Sequence, residues 1–356
     1  MPEPNLTAAE LLETSTPGYA AAAASELLAG NEALRARYGS GAVATWRAHF
    51  SQRLLELAAA IRMGEPELFA GRVIWQQKAF AVRGSDTNDL AQGLRALEAT
   101  LADELPEGMR ELVDSHLQAG IDVLSVDHEP DPSGLDPKDT YGALALQYLV
   151  DCLEGNVKHA IQLILDAAGD GLAIETVYLK VLFPAQQEIG RMWHNGEASV
   201  AEERVVTETT RRVMAILSHD QSDASDTGKT VLAASVARDA HDIGIRAVAD
   251  FFQVAGWRAI SLGSDVPPKE IANAARIFDV DLVVLATTLT TQLKQLQQSI
   301  ASIRSVCGED VKVLVGGHVF IDTPEVWKST GADAYAADAG DAVARGAELL
   351  GLPAPD

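Results

Sequence analysis

Cysteine is scarce in this chain, which contains two among 356 residues. Two cysteines cannot form the disulfide framework of a small secreted domain, and the start of the chain, MPEPNLTAAELLE, lacks the basic and then apolar pattern of a secretory signal. The apolar runs also fall short of the roughly 18 uncharged residues that a membrane span requires. The sequence therefore predicts a cytoplasmic protein with no membrane segment.

Basic residues are also in deficit, with 28 lysines and arginines against 51 acidic residues and a formal net charge of -23. Such a charge opposes binding to a phosphate backbone unless basic residues are clustered, and no cluster is present. Direct DNA binding is therefore not expected. The acidity is equally compatible with life in high salt, where a dense negative surface keeps proteins dissolved.

The length of the chain favours two or three domains, and two polar stretches rich in Asp, Ser, Gly and Pro are typical of linkers. These stretches cover residues 127–138 and 219–229. We expect a helical domain over residues 1–126, a four-helix bundle over residues 139–218, and a sheet domain over residues 229–356. The predicted fold class is therefore α/β plus all-α.

The sheet domain is predicted from short apolar runs that alternate with helical segments. The runs are TVLAASV, RAISLG, DLVVLAT and KVLVGG, with ADAYAA as a weaker fifth. This alternation is typical of a flavodoxin-like, doubly wound parallel sheet. Ligands of such sheets lie outside the carboxyl ends of the strands, so functional residues are expected in the turns after each strand.

The turn after the first predicted strand contains Asp239, His241 and Gly244 in the order Asp-x-His-x-x-Gly. An imidazole there can bind a metal through one nitrogen while Asp239 accepts a hydrogen bond from the other. Gly244 would let a bulky group pass close to the backbone. The alternative is that His241 caps the following helix or binds a phosphate.

Two further elements stand at fixed intervals from this turn. Forty-two residues separate Gly244 from Thr287, in the sequence Thr287-Thr288-Leu289, and twenty-six separate Leu289 from Gly316-Gly317. With Asp-x-His-x-x-Gly they resemble the cobalamin-binding domain family, which has Ser-x-Leu where this chain has Thr-x-Leu.

That resemblance implies roles for these residues. His241 would be the lower ligand of cobalt, and the benzimidazole tail of the cofactor would be displaced into a slot in the sheet. Thr287 and Leu289 would line the slot, and the backbone of Gly316 and Gly317 would pass close to the nucleotide.

The predicted four-helix bundle resembles the cap over the upper face of cobalamin in methionine synthase-type corrinoid proteins and in CarH-type photoreceptors. The photoreceptor cap has a tryptophan followed ten and eleven residues later by Glu-His. Trp193 and Glu203 match the first two positions, but Arg204 stands at the histidine position. His194 matches a residue that can become an upper cobalt ligand after photolysis, or it is an ordinary loop histidine.

The first 126 residues carry no basic helix-turn-helix of the kind that CarH-type photoreceptors have. In length and all-helical pattern this region resembles a globin-like sensory domain. A helical domain ahead of the cap and the cobalamin-binding domain is also similar to the photocobilins, which hold a bilin beside cobalamin. With no cysteine before Cys152, a bilin such as biliverdin would bind noncovalently. Candidate contacts are the arginines and aromatic residues of this region, and the alternative for all of them is a solvated face and an ordinary core. The set is Arg47, Arg53, Arg62, Arg72, Arg83, Trp46, Phe50, Phe69 and Trp75, with His49 as a possible haem ligand.

These resemblances lead to the prediction of a photoreceptor rather than an enzyme, with adenosylcobalamin as its chromophore. Loss of the adenosyl group in light would repack the cap and change the assembly of a homo-oligomer that signals to an unidentified protein partner. One alternative is a corrinoid methyl carrier of a methyltransferase system. The other is a cobalamin sensor that does not respond to light.

Overall fold

The computed structural model describes residues 4–129, 131–220, 226–321 and 323–353. The chain folds into two compact units. The first consists of Met1–Pro130, Leu289–Lys294 and Val319–Thr330, and the second of Asp131–Thr288, Gln295–His318 and Gly331–Asp356. The predicted three-domain division stays a prediction, and residues 221–225 of the second predicted linker lie outside the described residues.

The first unit is helical, as the apolar spacing predicts. Its helices are α1 (Pro4–Leu28), α2 (Glu32–Tyr38), α3 (Ala42–Met63), α4 (Pro66–Val82), α5 (Thr87–Glu104) and α6 (Glu107–Asp122). Helix α3 packs along α1, and α4 packs along α6. Where α3 ends, Gly64 adopts a φ of 73° and its N–H group bonds back to the carbonyl groups of the last turn, a left-handed cap that glycine adopts at little cost.

The second unit begins with a four-helix bundle. Its helices are α7 (Thr140–Leu153), α8 (Val157–Gly169), α9 (Ile174–Val177) continued through a π-helix (Tyr178–Leu182) into α10 (Phe183–His194), and α11 (Val200–Leu217). Ser199 and Glu202 form a capping box at the start of α11. The sequence predicts an interruption at Pro184, and the structure has a π-helix that ends at Leu182, two residues before it. Proline cannot donate the hydrogen bond that a regular helix needs there.

A five-stranded parallel sheet follows the bundle in the same unit. Its strands are β1 (Thr230–Val236), β2 (Arg258–Val266), β3 (Leu282–Ala286), β4 (Lys312–Gly316) and β5 (Ala334–Tyr335), and its helices are α12 (Ile243–Val254), α13 (Pro268–Ile277), α14 (Leu293–Cys307) and α15 (Ala339–Leu349). The strand order β2-β1-β3-β4-β5 is the flavodoxin-like order, which confirms the predicted fold class. Every residue of β1 is buried, as expected of a strand covered on both faces.

The bundle and the sheet share one apolar core, and Tyr178 of the π-helix crosses from one to the other. Its hydroxyl lies 2.8 Å from the Asp250 carboxylate on α12 and 3.2 Å from the carbonyl oxygen of Met214 on α11. Its ring lies 5.8 Å from that of Phe251. A tyrosine hydroxyl has one proton for these two acceptors, so both bonds form when Asp250 is protonated and donates to the tyrosine oxygen.

None of the described helices combines the length and the apolar character that would be needed to cross a membrane.

We expect the stability of the protein to depend on pH through Asp250. Burial raises the pKa of Asp250 to about 6. The hydrogen bond that Tyr178 can donate to the ionised carboxylate and the charge of Arg246 partly oppose this increase in the pKa. The folded chain therefore keeps this proton up to about pH 6, whereas the unfolded chain releases it near pH 4. The contribution of Asp250 to the free energy of unfolding is complete below about pH 4 and is lost as the pH rises to about 6.

Urea unfolding at pH values from 4 to 8 measures this dependence. Asp250→Asn should remove a decline of roughly 1–2 kcal/mol that the wild type shows between pH 4 and 6, a figure reduced for partial exposure of the carboxyl group. Asp310→Asn, at an exposed position, leaves Asp250 in place and should keep the decline. Equal pH slopes in the wild type and Asp250→Asn would contradict the assignment.

Candidate functional site

The loop between β1 and α12 is organised by the carboxylate of Asp239, which is fully buried. One carboxylate oxygen accepts hydrogen bonds from the backbone N–H of His241, at 3.1 Å, and from its Nδ1, at 2.8 Å. The other accepts from the backbone N–H of Thr288, at 2.7 Å. A single buried group therefore joins the loop after β1 to the turn after β3.

His241 is held in one tautomer by this arrangement. Because Nδ1 donates to Asp239, the lone pair of the imidazole lies on Nε2, and the side chain is 62% exposed. The hydrogen bond to Asp239, together with the charges of Asp239, Glu203 and Asp242, raises the pKa of His241 despite its partial burial. A basic imidazole with one open nitrogen is suited to bind a metal centre from below.

Two residues that the sequence did not single out complete this loop. Ser235, buried in β1, donates its hydroxyl proton to the backbone carbonyl of His241 at 2.8 Å. Asp242, which is 4% exposed, accepts hydrogen bonds from Arg211 of the bundle and from Arg246 of α12. A serine within the apolar strand TVLAASV was a usable signal, whereas the Arg211–Asp242 pair joins residues too far apart in sequence to be recognised.

The turns after β3 and β4 meet at Thr287 and Gly317. The N–H group of Thr287 donates to the carbonyl oxygen of Gly316 at 3.0 Å. Gly317 has a φ of 115°, and a Cβ atom there would lie 2.3 Å from the carbonyl oxygen of Thr287. Only glycine fits this position, because any side chain would collide with the backbone and strain its conformation.

The hydroxyl group of Thr287 is the feature of this edge that points to a ligand. It is buried, and it has no hydrogen-bond partner within residues 4–129, 131–220, 226–321 and 323–353. A buried unpaired hydroxyl costs free energy unless a ligand supplies the missing partner. This polar atom fits the role predicted for Thr287 beside the nucleotide tail of a corrinoid.

Two other predicted contacts lie at open positions. A Cβ atom added at Gly244 would meet no atom of the described residues within 4 Å, so the first turn of α12 leaves room for a bulky group. Leu289 is 37% exposed, and its N–H donates to Oε1 of Gln292 at 2.8 Å. The cofactor roles of both residues stay predictions.

The bundle places Trp193 at the end of α10 with 39% of the residue exposed, an unusual exposure for so large an apolar side chain. His194 beside it is 9% exposed, and its role as a cobalt ligand stays a prediction. The Thr207 hydroxyl lies 2.8 Å from Oε1 of Glu203 and 3.1 Å from Oε1 of Gln186, and it donates its single proton to one of these two acceptors. The Glu203 carboxylate is thus supported by a polar network inside the bundle.

Most of the residues that the sequence offers as bilin contacts are buried in the core of the first unit or paired with glutamates there. Trp46, Phe50 and Phe69 are core residues with at most 1% exposure. Three of the five arginines form ion pairs within the unit: Arg53 and Arg72 with Glu56, and Arg62 with Glu13. Burial and the charge of Arg53 lower the pKa of His49. Bilin binding stays a prediction.

Comparison with known proteins identifies two B12 binding domains, one over residues 145–218 and one over residues 229–345. Dimethylamine corrinoid protein 2 of Methanosarcina acetivorans is 27% identical over 210 residues, which cover 58% of this chain and 95% of that protein. Dimethylamine corrinoid protein 3 of Methanosarcina mazei is 31% identical over 132 residues, which cover 36% of this chain and 77% of that protein.

Among solved structures, the monomethylamine corrinoid protein of Methanosarcina barkeri superposes with a TM-score of 0.51 at 19% identity, covering 58% of this chain and 98% of that one. At this identity the likeness shows the fold alone. The two family matches do not reach residues 1–126, so the helices of that region have no counterpart in them.

These findings correct one prediction: the assignment of the chain as a light-driven adenosylcobalamin photoreceptor is wrong. The two curated relatives named above are dimethylamine corrinoid proteins, and they give no support to a photoreceptor. Arg204, at the position where the photoreceptors have histidine, is an exposed residue of α11. Photoreceptors and corrinoid methyl carriers share the sequence pattern of the loops after β1, β3 and β4, so a match to this pattern could not distinguish the two classes.

We expect Thr287→Val to separate the stability of the protein from its affinity for a corrinoid. Valine has nearly the shape of threonine but lacks the unpaired hydroxyl, so the ligand-free variant should be as stable as the wild type or more so. Its affinity for hydroxocobalamin should fall several-fold, about 1 kcal/mol, because the tail loses a hydrogen bond. Thermal unfolding and equilibrium dialysis measure the two quantities.

Thr287→Ser is the matched control, since it keeps the hydroxyl and should bind as the wild type does. Unchanged affinity in Thr287→Val would show that the hydroxyl does not face the cofactor.

Proposed function

Because the chain belongs to the family of B12-binding corrinoid proteins, we propose that it is a methyl carrier, which takes a methyl group from one partner protein and delivers it to another. The observation that carries the corrinoid site is the Asp239–His241 pair, in which a buried carboxylate fixes one nitrogen of an exposed imidazole. The choice of a methyl carrier is supported by the dimethylamine corrinoid proteins that the chain resembles. The relatives are named for dimethylamine and monomethylamine. For this chain, the partner methyltransferase would bind the methyl donor and would therefore determine its identity.

When bound, a corrinoid supplies a cobalt centre whose upper face accepts and releases a methyl group. His241 would hold the cobalt from below, and Asp239 would fix the ring and keep it basic. Thr287, Gly316 and Gly317 would hold the tail at the ends of β3 and β4. These residues bind and orient the group without themselves reacting.

The bundle would act as the cover of the upper face. Trp193 offers a large apolar surface, and Glu203 offers a carboxylate held by Thr207. An apolar cover excludes water from a reactive centre between transfers. A carrier must also expose that centre to its partners, so the cover has to move aside in each half of the cycle.

The first test is the identity of the corrinoid and of its upper group. Protein purified in the dark should yield a corrinoid with a methyl group or no carbon ligand above cobalt, identified by mass spectrometry of the extract. Methyl-loaded protein should then transfer isotopically labelled methyl groups in the presence of a methyltransferase. The contrary result would be a stoichiometric adenosyl group, as in the prediction of adenosylcobalamin, together with no methyl transfer. This result would overturn the methyl-carrier proposal and favour a cobalamin sensor.

The lower ligand is tested by His241→Ala. Without the imidazole, the absorption spectrum of histidine-ligated cobalamin should disappear, and the affinity should fall at least about tenfold. His219→Ala, at an exposed position in another part of the unit, should bind normally. A His241→Ala variant with the wild-type spectrum and affinity would remove the basis of the proposal.

The bilin prediction has its own test. Co-expression with a source of biliverdin should give a protein that absorbs at longer wavelengths than cobalamin if the N-terminal helices bind this pigment. A protein with only the cobalamin spectrum would contradict it and would leave the methyl carrier untouched.

A further inference from the structure

The carboxylate of Asp242 is placed unusually for the residue that precedes a helix. Asp242 occupies the N-cap position of α12, where aspartate commonly accepts a hydrogen bond from the first turn. In the described part of the chain its side chain makes no such bond. It is 4% exposed and is turned instead toward two arginines. A buried carboxylate that gives up the cap must be fixed by those partners.

The two arginines come from different layers of the unit. Arg246 lies one turn along the same helix, and its Nε donates to Oδ2 of Asp242 at 2.7 Å. Arg211 lies on α11 of the bundle, and its Nε and Nη2 both donate to Oδ1, at 2.9 and 2.7 Å. The first contact is local to α12. The second joins the predicted cap directly to the loop that carries His241.

The geometry of the Arg211 contact requires a guanidinium group. Two N–H groups of one side chain converge on a single carboxylate oxygen, and Arg211 also contacts Glu208 on its own helix. Lysine provides a single charged nitrogen on a flexible stem and cannot reproduce this fork. The side chain of Arg211 is 27% exposed, so the pair is largely protected from solvent screening.

The contact ends one peptide bond from the predicted cobalt ligand. His241 is fixed by Asp239 at its ring and its N–H group, and by Ser235 at its carbonyl oxygen. Asp242 is the next residue, so a displacement of α11 acts on the backbone of His241 through the Arg211 pair. Tyr178 and Asp250 form a separate link between the bundle and α12. That link would remain if Arg211 were replaced.

We propose that Arg211 is a positioning residue, which couples closure of the cap to the placement of the His241 imidazole beneath the corrinoid. The coupling rests on the proposed corrinoid site. When the cap lies over the upper face, Arg211 holds the ligand loop in the geometry that favours the histidine-bound form. When the cap moves aside, the pair separates and the loop loses this support, so the histidine-bound form becomes less favoured.

The test uses the full chain loaded with cobalamin and reduced by one electron, in which the axial nitrogen splits the electron paramagnetic resonance lines of cobalt. Protein labelled with ¹⁵N-histidine gives a doublet from an imidazole and a triplet from the tail of the cofactor, so the histidine-bound fraction is measured directly. Arg211→Met should lower this fraction and weaken cobalamin binding about tenfold, the effect of losing a charge-assisted pair. Arg212→Met, the exposed neighbour on α11, should match the wild type.

Two further variants show whether Arg211 acts through Asp242. Arg211→Met combined with Asp242→Asn should bind no worse than Asp242→Asn alone, because both changes break the same pair. Arg211→Lys should lie between Arg211→Met and the wild type, and it provides the measurement if Arg211→Met fails to fold. Additive losses in the double variant would overturn the proposal.

A wild-type histidine-bound fraction in a folded Arg211→Met protein would also overturn it, as would an equal loss in Arg212→Met. His241→Ala separates these outcomes from a failure of the proposed function. If His241→Ala abolishes the doublet while Arg211→Met does not, the ligand assignment stands and only the coupling fails. If the wild type itself gives no doublet, the corrinoid site is wrong and the coupling falls with it.

Discussion

The structure of the candidate site depends on one buried carboxylate. Asp239 is removed from water, and a buried carboxylate is tolerated only when its oxygens accept hydrogen bonds. Two N–H groups of His241 and one of Thr288 satisfy it. The same three bonds fix the imidazole and draw the turns after β1 and β3 together. Loss of a donor in either turn would leave an oxygen of the buried Asp239 carboxylate without that hydrogen bond.

Much of this edge could be predicted because its parts are local in sequence. Strands of a parallel sheet follow apolar runs, and their carboxyl ends share an edge, so Asp239, Thr287 and Gly317 belong to neighbouring turns in any fold of this type. Glycine at position 317 follows from the close approach of the backbone to Thr287. These features follow from chain order and residue type alone.

Other features depend on tertiary contacts that no local pattern encodes. Arg211 and Asp242 meet only because α11 lies near the start of α12, and charged residues on a helix ordinarily face solvent. The arginines of the first unit look equally free in the sequence, whereas Arg53, Arg62 and Arg72 are paired with glutamates. The distinction between a photoreceptor and a methyl carrier was out of reach for a different reason. This distinction depends on which group leaves the upper face of the cofactor, and the residues that would hold the lower face carry no information about that group.

The π-helix at Tyr178–Leu182 has a consequence for how this segment tolerates changes in length. A π-turn contains one residue more than the α-turn it replaces, so removing a single residue there would restore a regular helix instead of breaking it. Each residue of an α-helix advances the side chains by about 100°. The shortened helix would keep its hydrogen bonds but rotate Tyr178 away from Asp250 and Met214. The extra residue therefore sets the phase between the two halves of this long helix, and with it the orientation in which the tyrosine reaches α12.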